Sequence, residues 1–199
     1  MTFSLAILAV VLSYTWLIEP IAPRWSTSIP VGLVLIVAIG HAIRNGDWGL
    51  APGALVPALW RSAALTLTAG LGIMLAGMAL GTWHDQRNAW TSLALLIPWG
   101  LGQQFALQSV LLRESRATVG RTAGIGLAAV LFAALHLPNP FLTAVTFAGA
   151  LAWCWIYDRH PNLLPLAMSH ALLTLAILCA FDERVTGHLR VGAAYLRLR

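Results

Sequence analysis

Gln103, Gln104 and Gln108 stand inside an otherwise apolar stretch, as do Phe132 with His136 and His170 with Thr174. In a hydrocarbon core an uncompensated polar group is costly, so polar side chains retained there are candidates for chemistry. An amide can hold a water but has no usable basicity. A neutral imidazole both donates and accepts, one role on each ring nitrogen. At about 100° per residue, Gln104 and Gln108 fall one turn apart on nearly the same helix face, with Gln103 adjacent. Phe132 lies one turn below His136, and Thr174 one turn above His170. The three groups occupy three separate apolar segments, so a shared site requires a bundle that brings the paired amides and both imidazoles to one depth.

Each residue also has an ordinary explanation. A membrane Gln most often hydrogen-bonds a neighbouring helix, at about 0.6 kcal/mol per contact, and that explanation suffices for Gln108. For the adjacent pair Gln103-Gln104 the two explanations balance. An isolated membrane His is more often a satisfied interhelical donor than a catalyst, and Thr174 has its own helix backbone within reach. His41, His84, His160 and His188 fall at segment ends or in loops and read as solvated.

The elements that must position these groups are helices in a membrane. Of 199 residues, 59% are hydrophobic and 10% charged, against about 25% charged in soluble domains. Roughly 20 mostly apolar residues cross a bilayer as a helix. Seven such stretches follow one another: 3–18, 29–43, 62–83, 89–112, 122–137, 141–157 and 163–181. The Pro- and Gly-interrupted segment 48–61 reads as interfacial, as does the Arg-bearing tail 182–199, and Arg113-Glu114-Ser115-Arg116 is expected to end the fourth span. The expected fold is therefore all-α, a polytopic integral membrane bundle of about seven transmembrane helices plus an interfacial segment. It forms a single membrane domain over residues 1–199, whose motif-bearing core is about 89–180.

All 12 cationic side chains are Arg. They punctuate the hydrophobic runs instead of clustering on one soluble face, a pattern of topology signals and headgroup contacts that argues against a nucleic-acid partner. Arg44, Arg61, Arg113, Arg116, Arg121 and Arg159 fall in loops on the N-terminal side of seven spans, which favours a cytoplasmic N-terminus. Trp16, Trp25, Trp48, Trp60, Trp83, Trp90 and Trp155 mark segment ends, where indoles prefer the headgroup level. Cys154 and Cys179 read as packed thiols. The first stretch lacks a basic leading region and a cleavage site, and reads as a retained helix.

The three groups, in this order and spacing, resemble the CPBP family of intramembrane proteases, which includes the prenyl (CAAX) endopeptidases and the Abi-type proteins. Its motifs are a Glu-Glu pair followed by x-x-x-Arg, then Phe-x-x-x-His, then His-x-x-x-Asn. The matching positions are Gln103-Gln104 with Gln108, Phe132 to His136, and His170 to Thr174, over about residues 89–180. The run His136-Leu-Pro-Asn-Pro140 is the strongest local signal. The resemblance implies an endopeptidase of a bacterial inner membrane, acting on membrane-anchored, lipidated or leader peptides. Gln103, Gln104, His136 and His170 would take the catalytic positions, with Gln108, Phe132 and Thr174 supporting them. The chain departs from the pattern at both Glu positions, at the Arg and at the Asn.

In the family mechanism the Glu pair activates a water; losing a general base costs about 10²–10⁴ in rate. Three readings stay open: a variant in which His136 or His170 is the base, a pseudoprotease that binds membrane peptides without cutting them, or an engineered Glu-to-Gln trap. A small transporter ranks lower, because no pair of matching broken helices marks two repeats. Two well-placed His and no intramembrane carboxylate fall short of the usual zinc set, so no metal or other cofactor is expected.

Overall fold

The computed structural model describes residues 1–86 and 88–197 of the chain, and among them the regular structure is helical. The helices are α1 (Thr2–Ser13), α2 (Ser28–Asn45), α3 (Leu55–Leu80), α4 (Ala89–Phe105), α5 (Arg113–Val119), α6 (Arg121–Ala134), α7 (Pro140–Tyr157), α8 (Leu163–Ala180), and the short α9 (Glu183–Thr186) and α10 (Gly192–Leu196). All seven apolar stretches are therefore helical. Residues 25–45, 52–80, 140–157 and 163–180 are long and apolar enough to cross a membrane, while 2–18 and 121–134 are shorter apolar helices. The chain is a helical integral membrane protein. All seven Trp side chains placed at segment ends are exposed.

Three boundaries differ from the expected ones. The third helix starts at Leu55, so much of the segment expected at the interface is helical and continuous with the span. Pro57 permits this because it lies in the first turn, where its missing N–H would have no intrahelical partner. The fourth helix does not end at Arg113: it continues through a π-helical segment, Ala106–Leu112, into α5. Arg and Glu end the apolar run but are good helix formers; the helix breaks at Gly120, whose φ of 84° suits a residue without Cβ. The fifth helix ends at Ala134, leaving His136 in the turn that follows.

The chain folds as two compact units, residues 1–48, 105–154 and 187–199 in one and 49–104 and 155–186 in the other. In the first unit, Ile7, Ala38, Ala106 and Val110 form a buried cluster flanked by Val11, Val34 and Leu135. Small side chains let α2 and the π segment approach α1 closely. Glu114 accepts hydrogen bonds from the free N–H groups of Phe3 (3.2 Å) and Ser4 (2.7 Å), capping α1 from another helix. Burial would raise its carboxyl pKa, but the hydrogen bonds from Ser4 and Phe3 outweigh burial and hold it below the ordinary carboxylate value.

In the second unit α3 packs along α8. The face α3 presents includes Ala58, Ser62, Thr66 and Gly70 at four-residue spacing and then Gly77, a ladder of small residues that lets two membrane helices approach closely. A Cβ on Gly77 would stand 2.8 Å from both Cα and Cβ of Ala180. Thr66 and Ser169 share a hydrogen bond across this seam at 2.8 Å. Asn162 caps α8, its Oδ1 accepting from Leu164 N–H at 3.1 Å, while its Nδ2 donates to the Ala51 carbonyl at 3.2 Å. At the other end of α8, Thr82 Oγ1, His84 N and Gln86 Nε2 donate to the carbonyls of Ala180, Cys179 and Leu178. Both ends of the helix that carries His170 are thereby satisfied.

Candidate active site

Gln104 is fully buried on α4, and its amide Nε2 lies 3.3 Å from Nδ1 of His170, itself 7% exposed on α8. This contact joins the first and third sequence motifs, 66 residues apart. Two residues of α4 permit it. Gly100, one turn before Gln104, lies against α8: a Cβ there would stand 2.9 Å from the Ala167 carbonyl oxygen and 3.5 Å from His170 Cβ. Pro98 lies inside the helix, so the usual N–H to the carbonyl four residues back is missing just where α4 meets α8. Gly100 is the site residue that sequence reasoning passed over; its signal was the four-residue step to Gln104.

As the amide is oriented, Gln104 donates and His170 Nδ1 accepts. The neutral His170 ring therefore carries its proton on Nε2, which is a hydrogen-bond donor. Ser169 and Thr66 lock the neighbouring turn of α8. Thr174 Oγ1 donates to the His170 carbonyl at 2.9 Å, the ordinary backbone bond of a helical Thr. Gln103 is half-buried beside Gln104.

In the other unit, His136 sits in the turn after α6. Its Nδ1–H donates to the Phe132 carbonyl at 2.9 Å, and the Phe132 ring packs against the imidazole with centroids 5.1 Å apart. The neutral His136 ring therefore keeps its lone pair on Nε2. The two imidazoles are prepared for opposite roles: Nε2 of His170 can polarise an oxygen, and Nε2 of His136 can accept a proton. Gln108 is buried in the π segment, among Leu107, Ser109, Val110 and Leu111. Single-turn π segments in α-helices are common at functional sites, and periodicity at 3.6 residues could not have shown this one.

The turn that carries His136 is held from two sides, a feature legible only in the structure. Asn139 is buried, its Oδ1 accepts the Leu142 N–H at 3.0 Å at the start of α7, and its Nδ2 donates to the Arg190 carbonyl at 3.0 Å. Gly192 N–H donates to the Leu137 carbonyl at 2.8 Å. The tail expected to lie at the interface thus braces the His136 turn through residues 187–197; residues 198–199 lie outside the described part. Gly187 and Gly192 have φ of 59° and 57°, and a Cβ on Gly192 would meet the Thr15 carbonyl carbon at 2.7 Å.

Among the described residues no three His, Cys, Asp or Glu side chains come together as a metal-ligand group. Two imidazoles fall short of the three protein ligands of the usual catalytic zinc set. Cys154 and Cys179 are not joined in a disulfide.

The helical membrane fold thus holds a buried amide–imidazole pair on α4 and α8 in one unit, and a backbone-oriented imidazole after α6 in the other. Residues 85–176 match the model of the type II CAAX prenyl endopeptidase Rce1-like family, and over that stretch the chain is similar to the CAAX protease (CPBP) family. Neither a curated protein nor a solved structure matches the chain.

Proposed function

We propose that the protein is a CPBP-like intramembrane endopeptidase scaffold that takes the peptide end of a membrane-anchored, lipidated or leader-type substrate, with Gln103, Gln104, His136 and His170 as its working residues. The observation that carries this is the buried 3.3 Å contact between Gln104 and His170. A hydrogen bond between the first and third family motifs is what a water-holding site needs and what scattered packing contacts would not supply. On this reading Gln104 holds water or the scissile carbonyl, and His170 Nε2–H stabilises the oxyanion. His136, with its lone pair on Nε2, is the general base of this reading. Gln108, Phe132 and Thr174 support the two histidines.

The family resemblance implies a bacterial inner membrane, and the arginine distribution favours a cytoplasmic N-terminus. The second reading is a pseudoprotease that binds the same peptides, favoured by the absence of basicity in the Gln104 amide. A cleavage assay on tagged membrane-anchored and prenylated peptides, run beside a binding measurement, separates the two. Turnover abolished by His136→Ala supports the endopeptidase, and saturable capture without products supports the pseudoprotease. Neither cleavage nor capture across the panel would overturn both.

A further inference from the structure

We propose that Arg61 and Arg159, both over the Trp155 indole, and His160, bonded to Arg61, form a binding site for the phosphate of an anionic phospholipid headgroup. The three polar residues come from two places: the second turn of α3, and the turn between α7 and α8. The Arg61 guanidinium carbon lies 5.7 Å from the Trp155 ring centroid and that of Arg159 lies 4.1 Å from it. The two like charges are therefore held within about 10 Å of each other on one aromatic ring. Arg159 Nη1 is further fixed by a 3.0 Å hydrogen bond to the Trp155 carbonyl. Arg61 Nε–H donates to His160 Nε2 at 2.9 Å, so the neutral His160 carries its proton on Nδ1, a further donor.

The charge is not balanced locally. The carboxylate at hand is Asp158, whose Oδ2 is 3.9 Å from Arg159 Nη1, at the long limit of an ion pair, and whose side chain is enclosed. Arg61 makes no ion pair among the described residues. Two cations and a donor against one carboxylate leave a net positive charge that a bound anion would balance. Guanidinium forks match phosphate oxygens bidentately.

The surroundings favour a lipid source. Trp155 is exposed beside the site, and Trp60, Val56, Leu59 and Leu164 present exposed apolar surface on the same two helix ends. An indole-and-aliphatic surface beside a phosphate receptor suits a headgroup with its acyl chains lying below it.

The test uses the full-length protein in neutral detergent, titrated with dioleoylphosphatidylglycerol, dioleoylphosphatidylcholine or inorganic phosphate. Lipid affinity is read by native mass spectrometry and stabilisation by thermal melting. Wild type is expected to prefer the anionic lipid and to gain stability from it, with no comparable gain from millimolar phosphate. Each guanidinium removed is expected to weaken the anionic lipid roughly five-fold, so Arg61→Gln with Arg159→Gln loses on the order of twenty-five-fold. The pair Arg116→Gln and Arg121→Gln, exposed arginines elsewhere in the chain, is expected to change it little. If the first pair fails to fold, Arg61→Lys with Arg159→Lys keeps the charge but loses the fork and stacking, and is expected to lose part of the preference. An undiminished preference in either site variant, an equal loss in the control pair, or full reproduction of the stabilisation by free phosphate would each overturn the proposal.

Discussion

Replacing Gln104 by Glu tests the site at its most informative atom. In the wild type the amide Nε2 faces His170 Nδ1 at 3.3 Å, which makes Nδ1 the acceptor and places the ring proton on Nε2. A carboxylate at the same place can only accept, so Gln104→Glu requires the proton on Nδ1 and moves the His170 lone pair to Nε2. The donor–acceptor distance is long for such a bond, so the amide contact itself contributes little, whereas a charge-assisted bond contributes about 1.5–3 kcal/mol. Gln104 is fully enclosed, and that gain is set against the cost of removing a carboxylate from water. Folding should therefore survive with a modestly changed melting temperature. The chemistry should change far more, because a water-activating base contributes about 10²–10⁴ in rate, or roughly 2.7–5.4 kcal/mol of barrier. The assay pairs ¹⁵N spectra of histidine-labelled protein, with His170 assigned by His170→Ala, with product detection on membrane-anchored peptides. The expected result is inversion of the His170 tautomer together with a rise in hydrolysis, reduced from that order by loss of the Nε2–H oxyanion donor, and larger when Gln103→Glu is added. An unchanged tautomer and wild-type hydrolysis in a fully folded variant would refute the view that Gln104 occupies a water-activating position.

Four further outcomes follow from the packing and the charges. Gly100→Leu should separate α4 from α8 at Ala167 and shift the His170 ring resonances as Gln104→Leu does, read in the same spectra. Gly77→Val, set against Ala180 at 2.8 Å, should destabilise the α3–α8 pair by about 1–3 kcal/mol in denaturant unfolding, the usual cost of overpacking. Asn139→Ala removes a helix cap and the tie to the Arg190 carbonyl, and should cost about 1–2 kcal/mol while raising amide exchange in residues 187–197. Glu114 has a folded pKa below its ordinary value of 4.5; its contribution is therefore complete above that value and fades as pH falls through the lower folded one. Glu114→Gln should accordingly lower the melting temperature at neutral pH and flatten its fall in the acid range.

Much of this architecture was legible before any coordinates. Apolar runs of membrane length dictate helices, because lipid offers the backbone no other partner for its N–H and C=O groups. Polar residues stand out within such runs because lipid penalises them, which marked Gln103, Gln104, Gln108, His136 and His170. What the sequence could not give was pairing. When every face of a helix is apolar, its pattern does not say which face meets which neighbour. The contact of Gln104 with His170 therefore depended on Gly100 and Pro98 shaping α4, and the α3–α8 pairing on a ladder of small residues whose partner was unstated. The π segment at Ala106–Leu112 and the continuation of the helix to Val119 are backbone outcomes with no composition signal. The bracing of the His136 turn by Arg190 and Gly192 joins segments some 50 residues apart, a hydrogen-bonding choice that tertiary packing alone decided.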